Sequence, residues 1–314
     1  MEEALYSDLG FFNTDQVRSD KEGDFLTSPE VSKYFGKIIR NWIHSERNLK
    51  NIIEIGSGTG SLIEQIGIKE ITAVELSSTA REELIKKGID THTTIDELTT
   101  KTSDLIFGNE ILDNIPCSIG LYKDEGWYEK VVLLEENSLA YGLRPIRNEE
   151  LDWINKNNIV PNEDYEFEIQ VNIDKFLNSV IKKINPGKIL LFDYGYEQKN
   201  RDKRMYSSLL RTYKNHHLSV DPIDDPGNID ITYDVNFSSI SSELKYLGYD
   251  VTLKLQRDFL LDNGFNIFFD ELQEKYIAAE GIEKLKINSE LNGMKAIVDS
   301  NGLGGFYCLI AEKL

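Results

Sequence analysis

The chain has 314 residues, 40% of them apolar and 10% aromatic, enough to bury a sizeable core in one large domain. Its net charge of −19 disfavours nucleic-acid phosphates, and suits either plain solubility or the steering of a cationic acceptor such as a Lys- or Arg-bearing peptide. No stretch approaches the roughly 18 apolar residues of a membrane helix, and two cysteines (Cys117, Cys308) with four histidines in no ligand spacing exclude a disulfide framework and a zinc site. The acidic start, MEEALYSD, resembles neither a signal peptide nor an Arg-rich transit peptide, so a cytosolic protein is expected.

Elements follow in alternation. Lys50–Ile55 (KNIIEI) is an apolar run that ends in the turn GSGTGS and the helical LIEQIG. Ile71–Glu75 (ITAVE) leads into SSTAREELIKKG, a helix with hydroxyls at its start, acids early, lysines late and Gly88 as its stop. A weak strand near Thr91–Thr94 and a stronger one at Asp104–Phe107 follow. Strand and helix alternating at this spacing imply a parallel sheet of right-handed βαβ units. The order breaks at Gly126–Leu143, which reads as a hairpin around Glu135, Glu136 and Asn137. Asp174–Ile184 restores it with a helix whose apolar face holds Phe176, Leu177, Val180, Ile181 and Ile184, leading to a fifth strand at Lys188–Asp193. After an insertion at Tyr194–Phe237 come a helix (Ser238–Gly248), a strand (Asp250–Leu255), a helical stretch over 257–296 and a last strand at Gly305–Ala311. The expected architecture is one α/β domain over 1–314, with a helical cap at 1–48, a β-rich insertion at 117–173 and a second insertion at 194–237.

The turn IEIGSGTGSL carries Gly56, Gly58 and Gly60 at alternate positions, so backbone can approach a ligand while the next helix offers free N–H groups. A dinucleotide site prefers G-x-G-x-x-G, whereas here the third glycine comes early and Glu54 precedes the turn. That E-x-G-x-G-x-G order is the S-adenosylmethionine form, in which the acid can help hold a cationic amino-acid moiety, directly or through water. Glu75, ending the second strand, is placed to accept ribose hydroxyls. Glu54, Gly56, Ser57, Gly58, Gly60, Glu75 and Leu76 are therefore the candidate cofactor residues.

DLIFGNEILDNIP (104–116) is an odd way to leave a buried strand. Ligands of open α/β sheets lie beyond the carboxyl ends of the strands, so Asn109 and Glu110 emerge beside the glycine turn. Asn109 can orient the cofactor or a substrate N–H. If the segment turns helical, Glu110 and Asp113 share a face and grip a guanidinium through paired hydrogen bonds, drawing its charge toward the nitrogens that do not react. Helix capping by Asn and Asp, with Pro116 as the stop, is the competing explanation. His217 as a general base and Tyr194 as a substrate-stacking ring each compete with an ordinary surface or packing role.

GDFLTSPEVSKYFG (23–36), IEIGSGTGSL (53–62), VELSSTARE (74–82), NEILDNIP (109–116), GWYEKVV (126–132), LLFDYGY (190–196) and DPGNIDITYDVNF (225–237) occur in the order of the MidA family, which the chain resembles over nearly its whole length. That family of S-adenosylmethionine-dependent methyltransferases includes the mitochondrial complex I assembly arginine methyltransferase. The resemblance implies a class I, Rossmann-like methyltransferase fold with a mostly parallel seven-stranded sheet, S-adenosylmethionine as cofactor, and symmetric dimethylation of an arginine in a protein partner. It implies Thr27 and Ser28 at the cofactor pocket, Asn109, Glu110 and Asp113 as the catalytic set, and Asp193, Tyr194, His217, Asp230 and Thr232 near the substrate channel. Two positions depart from the family: EIQVNI (168–173) lacks its proline, and Asn236 replaces its aspartate, which leaves the protein substrate open. Methylation of a small molecule or another residue, and a non-enzymatic role as an assembly factor, are the alternatives. A homodimer is one open assembly.

Overall fold

The computed structural model describes residues 1–13, 27–46, 49–98, 103–136, 138–160, 162–203, 209–214, 217–218 and 221–313. Gly23–Leu26 of the N-terminal motif, Asn137 of the hairpin turn and His216 lie outside them, as does the side chain of His217.

Seven strands form the central sheet: β1 Ile52–Ile55, β2 Ile71–Val74, β3 Thr91–His92, β4 Ser103–Asn109, β5 Ile184–Asp193, β6 Asp250–Leu255 and β7 Tyr307–Glu312. Their order is β6-β7-β5-β4-β1-β2-β3. Every neighbouring pair from β5 to β3 is parallel, whereas β7 runs antiparallel to both β5 and β6. The sheet is thus mostly parallel, as expected. The chain steps outward from β1 to β3 and then returns to β4 on the other side of β1, so the strand order reverses between β1 and β4. A crevice opens at such a switch point, beyond the strand ends.

Both faces of the sheet are covered, which is why β1 reads as apolar without alternation apart from Glu54. One face packs Ile52, Leu105, Phe107, Leu190 and Phe192 against Phe35, Ile38 and Ile39 of helix Tyr34–Ser45 and against Phe259, Met294 and Ile297 of the C-terminal helices. The other packs Ile53, Ile106, Ile189 and Leu191 against Leu177 and Val180 of helix Val171–Ile181 and Ile240 and Leu244 of helix Phe237–Tyr246. Ile184 opens β5 instead of closing the preceding helix. The helix has already ended at Ile181, and Pro186 keeps Asn185, the residue before it, out of the helical region.

The insertion after β4 is a four-stranded antiparallel sheet of Ser118–Lys123, Gly126–Glu135, Ser138–Pro145 and Tyr165–Ile169, backed by helix Asn148–Lys156. The one after β5 builds a small antiparallel sheet with Leu210–Lys214 at its centre, flanked by Asp230–Tyr233 and His217–Leu218. The first 13 residues dock on this second insertion: Leu5 and Phe11 share a buried cluster with Ile229 and Ile231.

Candidate active site

A cavity lies at the switch point, lined by the turn after β1, the ends of β2 and β4, and parts of the N-terminal segment. Glycine is required where the turn meets the β4 loop. Gly56 has φ +68, and a Cβ there would come within 2.3 Å of Ile111 Cγ2; at Gly108, in the neighbouring strand, a Cβ would meet Ile111 Cδ1 at 2.7 Å. The Ile111 side chain therefore folds back over two glycines, one on each side of the crevice. Gly60 serves differently. It caps helix Ser61–Ile66 in a left-handed conformation and packs on Leu84, and it does not line the cavity.

Glu54, Ser57, Gly58, Glu75 and Leu76 all line the cavity. Glu75 Oε2 accepts from the Gly58 N–H at 2.8 Å, and Oε1 accepts from the Ser77 N–H at 2.8 Å. Burial raises the Glu75 carboxyl, opposed by these N–H groups and by Arg81. Glu54 is pushed well above the carboxylate range by burial, with the charge of Glu75 adding to it. Its Oε2 is buried with no hydrogen-bond partner among the described residues. Such an atom costs about 1–3 kcal/mol unless a ligand satisfies it.

The expected helix at 110–116 does not form; the segment is a turn. Glu110 takes φ +54, a conformation costly for a non-glycine residue, and is held there by its N–H bond to Phe192 O at 2.8 Å, which continues the β4–β5 ladder. Glu110 Oε1 accepts from Asn109 Nδ2 at 2.9 Å and from the Ser28 N–H at 3.3 Å. Burial raises the Glu110 carboxyl to about 8, the Asn109 amide pulls it down and the charge of Asp113 pushes it up. Asn109 and Glu110 both line the cavity.

Asp113 does not. Without a helix it turns away from the cavity, where its Oδ2 accepts from the Tyr194 hydroxyl. Burial brings its carboxyl up to about 6, against the pull of Tyr194 and Arg211. The paired-carboxylate grip expected from Glu110 and Asp113 on one helical face is therefore corrected. Thr27 lines the cavity, but Ser28 is buried and exchanges hydrogen bonds with Gln256, Oγ to Oε1 at 3.2 Å and Nε2 to Oγ at 3.0 Å.

Of the expected channel residues, Asp193 is a brace: it accepts from the Leu112 N–H at 2.7 Å, the Asp113 N–H at 3.4 Å and the Tyr194 N–H at 2.9 Å. Burial lifts it well above the carboxylate range, as does the charge of Asp113. Asp230 accepts from Asn114 Nδ2 at 2.9 Å, and Thr232 is buried opposite Arg211 in the small sheet. Neither reaches the cavity wall.

Several lining residues escaped the sequence reading. Tyr6 and Phe12 come from the N-terminal segment, their rings stacked at 5.5 Å, and the Tyr6 hydroxyl donates to Asn114 O at 3.1 Å. Phe176 and Asn114 complete that wall. Phe176 had a signal as an apolar residue on a helical face, and Asn114 as part of the polar run that ends β4; Tyr6 and Phe12 had none.

A left-handed glycine turn, an orphaned buried carboxylate oxygen and a second acid bonded to that turn define a nucleoside-binding α/β site. They fit S-adenosylmethionine: Glu54 Oε2 would take the ammonium group and Glu75 the ribose hydroxyls. Comparison with known proteins agrees. The family described as S-adenosyl-L-methionine-dependent methyltransferases matches residues 36–252, and the chain belongs to that family. It is a methyltransferase with S-adenosylmethionine as cofactor. The protein arginine methyltransferase NDUFAF7 homolog of Caenorhabditis elegans is 25% identical over 303 residues, 81% of this chain and 68% of that one. NDUFAF7 of Danio rerio is 25% identical, over 85% of this chain and 72% of its own. A crystal structure from Burkholderia thailandensis bound to S-adenosyl-homocysteine superposes with a TM-score of 0.84 at 21% identity, covering 99% of this chain and 86% of that one. The curated relatives are named as mitochondrial proteins, which overturns the expectation of a cytosolic one; an acidic opening stretch carries no argument about compartment. No helix among the described residues is long and apolar enough to cross a membrane.

Proposed function

We propose that the chain methylates a guanidinium nitrogen of an arginine presented by a protein. The observation that carries this reading is Glu110. Its Oε1 is engaged twice, by Asn109 and Ser28, while Oε2 takes no hydrogen bond among the described residues, at the wall of the cofactor cavity. A carboxylate fixed in this way accepts a guanidinium N–H through its open oxygen. The net charge of −19 draws such an acceptor in, and longer relatives, matched over 68% and 72% of their own length, carry the name protein arginine methyltransferase.

Bound in the cavity, S-adenosylmethionine supplies an electrophilic methyl group. The residues supply position and charge. Glu54 and Glu75 would hold the two ends of the cofactor, and Ile111, packed on Gly56 and Gly108, keeps the turn in place beside it. Asn109 keeps the Glu110 carboxyl in place. Glu110, ionised by the approaching cation, aligns the attacking nitrogen and takes the proton that the methylated guanidinium sheds. Positioning of this kind supplies much of the rate of an in-line displacement.

The test uses isotope-labelled S-adenosylmethionine and a methyl-depleted lysate of the protein's own host, followed by hydrolysis of the protein fraction. Labelled methylarginine supports the reading, and its chromatographic form reports whether two methyl groups are added symmetrically, as the family resemblance implies. Label confined to small molecules or to another amino acid overturns it.

A further inference from the structure

Behind the β4 loop the chain holds a guanidinium of its own. Arg211 lies in strand Leu210–Lys214 and is only 2% exposed. Its Nη1 is 2.9 Å from Asp234 Oδ1, and its guanidinium carbon lies 4.9 Å from the centre of the Tyr194 ring. Tyr194 in turn donates its hydroxyl to Asp113 Oδ2. The same ring also packs on Phe306, tilted by 58° with centroids 5.3 Å apart. The Tyr194 N–H is held by Asp193 Oδ1 at 2.9 Å.

We infer that Arg211 is a positioning residue: clamped between Asp234 and the face of Tyr194, it aims the Tyr194 hydroxyl at Asp113, so that Glu110 is the one carboxylate of the 109–116 loop left for the acceptor. The inference deepens the arginine reading proposed above and rests on it.

A guanidinium over an aromatic face is attracted by the ring quadrupole, and its planar fork keeps the ring from turning, which a lysine ammonium does less well. Packed against Phe306, stacked by Arg211 and with its backbone tied to Asp193, the Tyr194 ring is restrained from turning. Its hydroxyl then occupies Asp113 Oδ2, and a strong hydrogen bond to a buried carboxylate is expensive to exchange for one to a ligand. An incoming guanidinium therefore meets the open Oε2 of Glu110 at the cavity wall, while Asp113, held by Tyr194 through Oδ2 and with its Oδ1 buried and unpartnered among the described residues, stays off that wall.

Two acids three positions apart in one loop thus take opposite directions. Asp113 turns inward to meet a tyrosine and a cation, and Glu110 turns outward to the cavity. Arg211 acts on the acceptor only through Tyr194 and Asp113.

The test has an acceptor-independent arm and a binding arm. Arg211→Gln removes the cation 2.9 Å from Asp234 Oδ1, so the double variant Arg211→Gln with Asp234→Asn removes both charges of that pair together. In a crystal structure of that variant bound to S-adenosylhomocysteine, the Tyr194 hydroxyl is expected to leave Asp113. Finding it still on Asp113 would overturn the inference whatever the substrate is. The binding arm titrates acetyl-arginine amide into the protein saturated with S-adenosylhomocysteine, followed by NMR. Asp113→Asn should leave the affinity within about twofold of wild type, whereas Glu110→Gln should lower it by about tenfold, as expected for one charge-assisted hydrogen bond. Arg211→Lys, which keeps the charge but not the planar stack, should fall between wild type and the double variant. Equal losses from Asp113→Asn and Glu110→Gln would overturn the inference and leave the arginine reading standing. A wild type that binds S-adenosylhomocysteine but shows no saturable binding of the amide would instead overturn the arginine reading, and this inference with it.

Discussion

The two halves of the site are assembled on different length scales. On the cofactor side, Glu75 reaches the Gly58 N–H across 17 positions of chain, within one βαβ unit. On the acceptor side, Ser28 reaches Glu110 across 82 positions, Tyr194 reaches Asp113 across 81, and Tyr6 reaches Asn114 across 108. The first half is a local motif that many chains can build. The second exists only when the N-terminal segment, β4, β5 and the second insertion have all docked, so the residues proposed to meet the acceptor depend on the complete fold.

That contrast is sharpened first at the turn. Gly56→Val should lower affinity for S-adenosylhomocysteine by about a hundredfold, from a disfavoured backbone conformation plus a methyl group driven into Ile111. Calorimetric titration reads the loss, and adding Ile111→Ala should restore part of it. Recovery would place the conflict at the Ile111 contact, whereas no recovery would assign the loss to the backbone alone.

Glu75→Ala should weaken the same ligand by about tenfold or somewhat more, because two backbone N–H groups lose their acceptor together with the ribose. An unchanged affinity would mean that the ribose is held elsewhere.

On the acceptor side the signature is pH. Only ionised Glu110 attracts a guanidinium, and its carboxyl lies at about 8 before an acceptor arrives. The KM for an arginine peptide should therefore fall as pH rises toward 8 and level off above it. A KM flat from pH 6 to 9 would break the assignment.

The smallest effect is on stability. Because Glu110 holds its proton more tightly folded than unfolded, the wild type loses stability as pH rises from the ordinary carboxylate value of 4.5 to about 8. Glu110→Gln escapes that loss. Its melting temperature should exceed the wild type's by about 2–6 °C at pH 8 and by less at pH 5, in thermal scans at the two values. Equal melting temperatures at both would argue that Glu110 is freely solvated.

The same difference in length scale set what could be read from sequence. Gly56 and Glu75 were legible because a turn and a strand end announce themselves within one unit, and strand and helix alternation gave the sheet. Asn109 and Glu110 were legible as oddities, polar residues where a buried strand should end. The geometry of Asp113 was not. Spacing of three suggests a shared helical face, and only the β4–β5 ladder, continuing through the Glu110 N–H, shows that no helix starts there. Ser28 carried a motif but faces Gln256, a partner no local pattern links to it. Tyr6 and Arg211 were invisible because a tyrosine in a short helix and an arginine in a strand look ordinary until the second insertion brings them to the loop.

One variant divides the two halves directly. Glu110→Gln should bind S-adenosylmethionine within about threefold of wild type, since Glu54, Glu75 and the glycine turn are untouched, while methylarginine formed on host protein falls by about a hundredfold or more. Methylation at the wild-type rate, or cofactor binding lost along with it, would contradict the claim that Glu110 serves the acceptor and the turn after β1 serves the cofactor.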